Sequence, residues 1–384
     1  MKTTKPEKTA DAAVGAKARY VMVGGFLGAG KTTAISRLAK YWSDAARRVG
    51  LITNDQGKEL VDTAMLRSHG YATEEISGGC FCCRFNSLVD AAEKLSAQTR
   101  PDVFIAEPVG SCTDLVATVS YPLRRIYGQD FSIAPLSVLV DPVRAARIFG
   151  LEPGKSFSEK VAYIYRKQLE EADLIVINKC DAVLPGKVSE LRATLAQQFS
   201  KAEIFMVSAR DETGMRAWFD RLNTGEAGTR AAMEIDYGIY AEGEALLGWL
   251  NATVQISARD EFDGNLFLRR LAGEMQSALS GGGAEVAHLK MTLDPGGALG
   301  DLAVINLVRN DFVPELSQEL ADPLDAGELI VNIRAEVPAE ILRDVLEQSL
   351  AAAAASDPGI TTVVEHLEFF QPGKPEPTHR FTTG

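Results

Sequence analysis

The chain has 384 residues, of which 46% are apolar, so it has room for two domains and lies outside the composition of disordered proteins. Its net charge of −12 disfavours non-specific binding to nucleic acid or anionic lipid, and we expect neither as a partner. No apolar run approaches the roughly 18 to 20 residues that span a bilayer, and the leader at residues 1–17 lacks the apolar core of a signal peptide. These features predict a cytoplasmic protein with a flexible leader.

Apolar, β-branched segments alternate with helical patterns through the first half of the chain. The predicted strands are 19–23, 51–53, 103–106, 136–140, 174–177 and 204–207, and the predicted helices between them are 34–42, 88–98 and 188–199. Because parallel strands need long crossover connections, this order predicts an α/β domain with a mostly parallel sheet covered on both faces. We place this domain at residues 18–223.

The pattern changes after Asn223, where a segment rich in Gly and Thr predicts a linker at residues 224–244. The elements predicted beyond it are strands at 249–256, 285–293, 302–308 and 328–335 and helices at 266–279 and 338–355. This order predicts a smaller α+β domain at residues 245–384, compatible with a split βαβ sandwich. In this domain, His288 and Lys290 form a polar pair on one face of a predicted strand.

The segment that follows the first predicted strand fits the phosphate-binding pattern G-x-x-x-x-G-K-[ST]. Its expected nucleotide contacts are Gly25, Gly28, Ala29, Gly30, Lys31, Thr32 and Thr33. Backbone N–H groups in such a turn, and the start of the helix after it, bind phosphate oxygens. Lys31 then reaches the β and γ phosphates, and the hydroxyl of Thr32 binds Mg²⁺. A glycine-rich turn that binds nothing would not require this Lys-Thr pair.

A polar N-K-x-D set leaves the end of the predicted strand 174–177, at the edge of a parallel sheet that faces the ligand. The set comprises Asn178, Lys179 and Asp181. The carboxylate of Asp181 can accept hydrogen bonds from two donors of guanine, N1–H and the exocyclic amine, whereas adenine offers no such pair. The motif therefore predicts GTP or GDP as the ligand. Two candidates for a backbone contact to the guanine oxygen are Ser208 and Ala209.

Acidic residues end two other predicted strands. Glu107 can hold Mg²⁺ or orient water, and Gly110 can donate a backbone N–H to the γ-phosphate. Asp55, after the strand 51–53, is a candidate switch acid near Mg²⁺, although it also suits a simple Asx turn. Together with Lys31, we expect Glu107 and Asp55 to carry the catalysis of hydrolysis.

Three of the five cysteines, Cys80, Cys82 and Cys83, lie within four residues and follow two glycines. Thiolates bind Zn²⁺, Cu⁺ or iron–sulfur clusters, and three thiolates leave a tetrahedral ion one ligand short. An incomplete set of ligands suits a site that hands its metal on. The alternatives are redox chemistry between neighbouring thiols and buried, inert thiols. Cys112 is interpreted most simply as filling a small buried space, with a role as fourth ligand as the alternative.

Taken together, these motifs resemble those of the CobW-type GTPases, a family of P-loop metallochaperones and metallocentre assembly factors. The resemblance covers residues 19–221 and is carried by GGFLGAGKTT (24–33), NDQG (54–57), GCFCC (79–83), EPVG (107–110) and NKCD (178–181), in the family's order. It implies binding and hydrolysis of GTP with Mg²⁺, and a transition metal, often Zn²⁺, on the Cys-x-Cys-Cys motif. It also implies a client metalloprotein or corrinoid enzyme as partner, and it is compatible with a homo-oligomer.

Three features depart from the family's usual pattern. Asp55-Gln56 stands where Glu-Phe is usual, Pro-Val-Gly follows Glu107 where Thr-[Thr/Ser]-Gly is usual, and the four histidines are scattered. The residues also leave other functions open. These are a P-loop kinase or ATPase with incidental cysteines, a redox-sensing nucleotide switch without metal, and an assembly factor for a corrinoid enzyme that differs only in its client.

Overall fold

The first half of the chain folds around an eight-stranded parallel sheet. In this computed structural model the described residues are 17–54, 61–228, 231–296, 301–357 and 359–384. The strands are β1 (Ala18–Gly25), β2 (Val49–Asn54), β3 (Ala72–Ile76), β4 (Val103–Glu107), β5 (Phe131–Ile133), β6 (Ser137–Val140), β7 (Leu174–Ile177) and β8 (Glu203–Met206). Their order is β3-β2-β4-β1-β6-β7-β8, and β5 pairs with β1. Every pairing is parallel, so the predicted sheet is confirmed.

Helices cover both faces of this sheet. They are α1 (Lys31–Asp44), α2 (Val61–Ser68), α3 (Phe85–Gln98), α4 (Tyr121–Tyr127), α5 (Pro142–Ile148), α6 (Glu159–Glu171), α7 (Pro185–Gln198) and α8 (Met215–Thr224). Successive side chains of a strand point to opposite faces, and β1 follows this rule. Tyr20 and Met22 join one apolar cluster, whereas Val21 and Val23 join another on the opposite face. Burial on both sides explains why the central strands read as continuous apolar runs.

The second half forms a six-stranded antiparallel sheet with two helices. After helix α9 (Tyr237–Ala245) come β9 (Leu247–Phe262), α10 (Gly264–Gly281), β10 (Glu285–Asp294), β11 (Ala303–Leu307), β12 (Glu315–Gln318), β13 (Leu324–Glu336), α11 (Ala339–Ala355) and β14 (Ile360–Phe370). The strand order is β12-β11-β10-β13-β9-β14. Apolar side chains of α10 and α11 pack with those of the sheet in one cluster, which confirms the α+β class. Among the described residues, no helix combines the length and apolar character needed to cross a membrane.

The segment predicted as a linker contains helix α9, which packs against α6. A Cβ added at Gly243 would lie 2.5 Å from the carbonyl oxygen of Lys160, so the two helices approach closely only because this residue is glycine. The side chains of Tyr240 and Glu244, on the same helix, are buried. The limits of the two domains stay a prediction, with α9 as a packed element at their junction.

The antiparallel sheet rests against the loop that follows β1 in the first domain. The buried guanidinium of Arg144, on α5, donates to the carbonyl oxygen of Leu27 at 3.2 Å. It also donates to the carbonyl oxygens of Val286 and Ala287, at 3.3 and 3.1 Å, and to that of Val308. Because one buried cation satisfies carbonyls from both halves of the chain, β10 is fixed against the phosphate loop.

Glu171, at the end of α6, makes stability depend on pH. Its carboxyl accepts from the Thr113 hydroxyl at 3.1 Å and the Val116 N–H at 3.0 Å. Burial raises its pKa from 4.5 to about 8, the Val116 hydrogen bond opposes this, and Asp114 adds to it. Because the folded state favours the protonated acid, stability present below about pH 4.5 is lost as pH rises towards about 8.

We therefore expect Glu171→Gln to flatten the pH dependence of unfolding. The free energy of unfolding of the native chain should fall by a few kcal/mol over this range, on the order of 1.4 for each pKa unit. Urea denaturation at a series of pH values measures the slope. Glu170→Gln, which changes the neighbouring exposed acid, should keep the native slope. Burial also raises the pKa of Glu244 to about 8, so part of the pH dependence should remain in Glu171→Gln. A slope equal to that of the native chain would contradict the assignment to Glu171.

Candidate nucleotide and metal site

The phosphate loop connects β1 to α1 through glycines whose backbone conformation and close surroundings disfavour a side chain. Gly30 has φ of 85°, and a Cβ at this position would lie 2.6 Å from the Asn178 amide nitrogen. Gly28 has φ of 77°, and a Cβ there would lie 2.9 Å from the carbonyl oxygen of Ala287. The backbone is therefore left-handed at both positions and tightly enclosed. Helix α1 begins directly at Lys31, which points its positive dipole end at the loop.

Lys31, Thr32 and Glu107 meet at the mouth of this loop and are all buried. The Thr32 hydroxyl donates to Glu107 Oε1 at 3.1 Å, and the Lys31 ammonium lies 3.9 Å from the same oxygen. A hydroxyl and a carboxylate are oxygen ligands of the kind that Mg²⁺ prefers, so these residues fit the predicted ion. Gly110 lies close by, since a Cβ there would meet the Leu27 side chain at 2.6 Å. Asp55 lies outside the described residues.

Asn178 and Lys179 hold the phosphate loop to the loops that follow β7 and β8. The Asn178 amide donates to the Ala29 carbonyl at 3.0 Å, and its oxygen accepts from the Ala209 N–H at 3.0 Å. Lys179, with φ of 57°, turns back to donate to the Gly28 carbonyl at 2.7 Å. One amide and one ammonium thus fix the spacing between the phosphate loop and the loop after β8.

Asp141, at the end of β6, anchors the same Lys179. Its carboxylate accepts from Lys179 Nζ at 3.1 Å, from the Arg309 guanidinium at 3.2 Å and from the Arg144 N–H at 3.0 Å. Burial acts to raise the pKa of Asp141, but Lys179 and Arg309 prevail and hold it at about 2. The aspartate is therefore charged at neutral pH. It links Lys179 of the N-K-x-D motif to Arg309 of the second domain.

A cavity of about 420 Å³ lies above these groups, within the size range of small-molecule sites. The predicted site residues that line it are Gly28, Gly30, Lys31, Thr32, Thr33, Glu107, Gly110, Asn178, Lys179, Asp181 and Ala209. Gly25, Ala29 and Ser208 stand behind this lining, in the loops that shape it. Asp181 is paired with Arg210 at 3.3 Å.

The second domain supplies further lining that sequence reasoning missed. His288 and Lys290 on β10 and Asn306 on β11 reach the cavity from the antiparallel sheet. Burial, and then Lys290, lowers the pKa of His288 well below its usual value, so this imidazole is neutral at pH 7. The signal was present in the sequence, since two polar residues spaced by two on an apolar strand share one face. Their position over the phosphate loop depends on domain packing.

The three clustered cysteines lie in a tight turn between β3 and α3. Cys80 Sγ is 2.6 Å from Cys82 Sγ and 3.3 Å from Cys83 Sγ, and the last two are 3.6 Å apart. The backbone N–H of Cys83 donates to the Cys80 carbonyl at 3.0 Å, which curls the chain so that all three thiols face one another. Their ligand atoms lie within 4.8 Å of one another and could hold one metal ion. These cysteines do not line the nucleotide cavity.

Cys112 joins the same cluster from the loop after β4. Its thiol is buried in the same apolar cluster as Cys80 and Cys82. The Cys112 contact, followed by those of Cys82 and Cys83, lowers the pKa of Cys80. Burial, followed by Cys80, raises the pKa of Cys112. The cluster therefore stabilises a thiolate on Cys80 by donation from the surrounding thiols.

The last residues of the chain, 371–384, lie across the cysteine turn. The backbone N–H of Thr378 donates to the Cys82 carbonyl at 2.8 Å, and its hydroxyl donates to the Cys83 carbonyl at 3.0 Å. The N–H of Glu376 points at Cys83 Sγ from 3.3 Å. The C-terminal segment thus covers the outer side of the cluster and contributes hydrogen bonds to one of its sulfur atoms.

The phosphate-loop motif, the N-K-x-D motif and the cavity between them are features of a P-loop nucleotide-binding domain. Residues 19–206 match the family model described as CobW/HypB/UreG, nucleotide-binding domain. This part of the chain is therefore similar to the nucleotide-binding domain of that family, as its motifs predict.

Similar proteins agree with this assignment. The zinc chaperone YeiR of Escherichia coli strain K12 is 32% identical over 177 residues, which are 45% of this chain and 50% of that protein. The zinc chaperone CobW of Sinorhizobium sp is 29% identical over 202 residues, 47% and 56% of the two chains. The chain therefore spans about half the length of these curated relatives. The Zn(II)-bound YjiA GTPase from E. coli is 14% identical, with 86% and 98% coverage and a TM-score of 0.39, a level of similarity that carries no inference.

Proposed function

We propose that this chain is a Mg²⁺-dependent GTPase that binds zinc on Cys80, Cys82 and Cys83 and delivers it to a client metalloprotein. The names of its relatives, zinc chaperones, support zinc as the cargo. Thr32 and Glu107 would hold Mg²⁺, whose charge stabilises the transferring phosphate. Lys31 binds the same phosphate, and the carboxylate of Asp181 selects guanine.

The contacts of the Asn54 side chain are the observation that supports a structural link between the nucleotide site and the metal site. Its side chain lines the nucleotide cavity at the end of β2. The amide nitrogen donates to the Ile76 carbonyl at 2.9 Å and to the Gly79 carbonyl at 2.7 Å. Gly79 directly precedes Cys80, so one side chain connects the wall of the nucleotide site to the backbone of the cysteine turn. A shift of β2 with the state of the γ-phosphate would therefore move the sulfur atoms.

The rate of GTP hydrolysis sets the lifetime of the zinc-loaded state. Unassisted GTPases hydrolyse GTP on the order of 10⁻⁴ to 10⁻² times per second, and we expect a basal rate in this range. Slow hydrolysis leaves the loaded state long-lived enough to meet a client. A second state, with GDP bound, then has a different affinity for zinc.

Zinc affinity is expected to differ at least tenfold between the two nucleotide states, a coupling of about 1.4 kcal/mol. Competition with a chromophoric chelator, with GDP or a non-hydrolysable GTP analogue bound, measures both dissociation constants. Cys82→Ser should weaken zinc binding in both states, because it removes a ligand.

Asn54→Ala is the matched variant for the coupling, since it keeps every thiol and removes the two hydrogen bonds. It should bring the two dissociation constants closer together. Equal zinc affinity of the native chain with both nucleotides would refute the coupling. Thiols that oxidise to a disulfide under peroxide, in a protein that binds no zinc, would favour a redox switch instead.

A further inference from the structure

Arg380 anchors the C-terminal segment, residues 371–384, to the first domain. Its Nε donates to Oδ2 of Asp114 at 2.7 Å, and a terminal nitrogen donates to the Met233 carbonyl at 3.1 Å. The Asp114 carboxylate is buried and also accepts from the Tyr237 hydroxyl at 2.7 Å. A hydrogen bond between a guanidinium and a carboxylate is about twice as strong as a neutral one. This contact therefore fixes the segment to the loop after β4.

Neighbouring residues of the segment add to this anchor. The His379 ring meets the Phe85 ring edge to face, with the ring centroids 5.1 Å apart. The Arg125 guanidinium lies over the Phe381 ring, 4.8 Å from its centroid, and the Phe381 N–H donates to the Ala117 carbonyl at 2.9 Å. Consecutive residues of the segment thus contact the first domain through side chains and backbone.

Just before these contacts, the segment crosses the cysteine turn. Thr378 donates to the carbonyls of Cys82 and Cys83, and the Glu376 N–H lies 3.3 Å from Cys83 Sγ. Within the described part of the chain, the side chains that could together hold one metal ion are the three cysteines of the turn. The segment therefore lies over the turn as a cover, and its side chains are outside the set of ligands.

The cover lies on the side from which solvent reaches the sulfur atoms. Cys80 and Cys82 are 5% and 1% exposed, whereas Cys83 is only half-buried. A metal ion or a ligand of a client therefore approaches the cluster past Cys83. This is the thiol that the N–H of Glu376 faces.

The segment is held by few contacts, whereas its anchoring loop is well ordered. Pro372, Pro375 and Pro377 lack an N–H and disfavour strand pairing. The residues of the segment, all within the described part of the chain, form neither helix nor strand. By contrast, the N–H and the hydroxyl of Thr118 both donate to the Asp114 carbonyl, at 3.0 and 2.7 Å. Loss of the anchor would therefore release the segment and leave the loop in place.

We propose that the C-terminal segment is a detachable cover that controls access to the zinc-binding thiols, held closed by the contact of Arg380 with Asp114. This inference rests on the proposed function, because it regulates entry and exit of the same zinc. When the segment detaches, Cys83 is open to a client ligand that takes the ion. Reaction of a covered group follows the population of its open state, so a weaker anchor speeds each reaction of the cluster.

Alkylation of the zinc-free, full-length protein by iodoacetamide tests the cover without any dependence on hydrolysis. Mass spectrometry of the peptide that contains residues 80–83 gives the rate. Arg380→Ala should raise this rate about tenfold, because one charge-assisted hydrogen bond is lost. Arg269→Ala, which breaks an exposed ion pair between α10 and Glu319, should keep the native rate. A native rate of alkylation in Arg380→Ala would overturn the inference.

Thr378→Pro is a second variant, in case Arg380→Ala leaves the buried Asp114 too poorly satisfied for folding. Thr378 is exposed, and proline in its place removes the N–H and the hydroxyl that contact Cys82 and Cys83. Alkylation should again be faster than in the native chain. A Thr378→Pro protein with native circular dichroism and a native alkylation rate would contradict the cover.

Zinc exchange separates a cover from a ligand. Both variants should release zinc to excess chelator about tenfold faster than the native chain, again as expected for one lost charge-assisted hydrogen bond. They should keep the native zinc affinity, because an open cover speeds loading and release alike. Zinc release at the native rate, or a loss of affinity of roughly 100-fold as for a lost ligand contact, would overturn the inference and leave the proposed function intact. A native protein that binds no zinc would overturn both.

Discussion

Asp181→Asn is expected to lower the affinity for GDP by roughly 100-fold, since a hydrogen bond to a charged group is worth about 1.5 to 3 kcal/mol. The carboxylate of Asp181 lines the cavity beyond Asn178 and Lys179. It accepts from the Arg210 guanidinium at 3.3 Å. An amide in its place cannot accept from both donors of guanine.

The same variant should gain affinity for xanthosine diphosphate. Xanthine carries a carbonyl where guanine carries its exocyclic amine, and the amide of an asparagine can donate to that oxygen. Competition of GDP, ADP and xanthosine diphosphate against a labelled GDP analogue measures the change. Asp102→Asn is the matched control, because Asp102 is also paired with an arginine, Arg48, but lies at the far end of the sheet. Retained GDP affinity in Asp181→Asn would contradict the guanine assignment.

The central strands were predictable because both faces of the parallel sheet are buried. The strand 174–177, for example, is predicted at the residues that form β7. Edge strands gave no such signal. β3 has the sequence Ala-Thr-Glu-Glu-Ile and only its last residue is buried, and β14 is exposed or half-buried along its length. Strands of this kind are stabilised by pairing with a neighbour, and pairing is not encoded in local periodicity.

In the site, too, some residues were predictable from local sequence and others were not. Local motifs, the phosphate loop and N-K-x-D, indicated the nucleotide contacts because their chemistry lies within a few adjacent residues. The position of Cys112 was not evident, since a lone cysteine after Glu107 is compatible with ordinary packing. Only the pairing of β4 between β1 and β2 brings that loop beside the cysteine turn. Lys290 lines the cavity because β10 packs against the phosphate loop, where the buried Arg144 holds the two domains together. No local motif encodes this packing between domains.

Glu107→Gln is expected to reduce GTP hydrolysis by about 100-fold or more, because several kcal/mol of stabilisation by the metal depend on a charged ligand. The substitution keeps the size of the side chain and an oxygen that can accept from Thr32 at 3.1 Å. It removes the negative charge that faces Lys31 and would face Mg²⁺. The fold should therefore persist while the affinity for the ion decreases.

Phosphate release measured over a range of Mg²⁺ concentrations separates the loss of affinity for Mg²⁺ from the loss of hydrolysis rate at saturating Mg²⁺. In Glu107→Gln, half-maximal activity should require more Mg²⁺, and the plateau should stay below that of the native chain. Glu203→Gln provides a control, since Glu203 lies at the opposite end of the parallel sheet and pairs with Arg221. If excess Mg²⁺ restored the full native rate, Glu107 would contribute to ion affinity alone. That result would exclude a separate contribution of the Glu107 charge to the chemical step of hydrolysis.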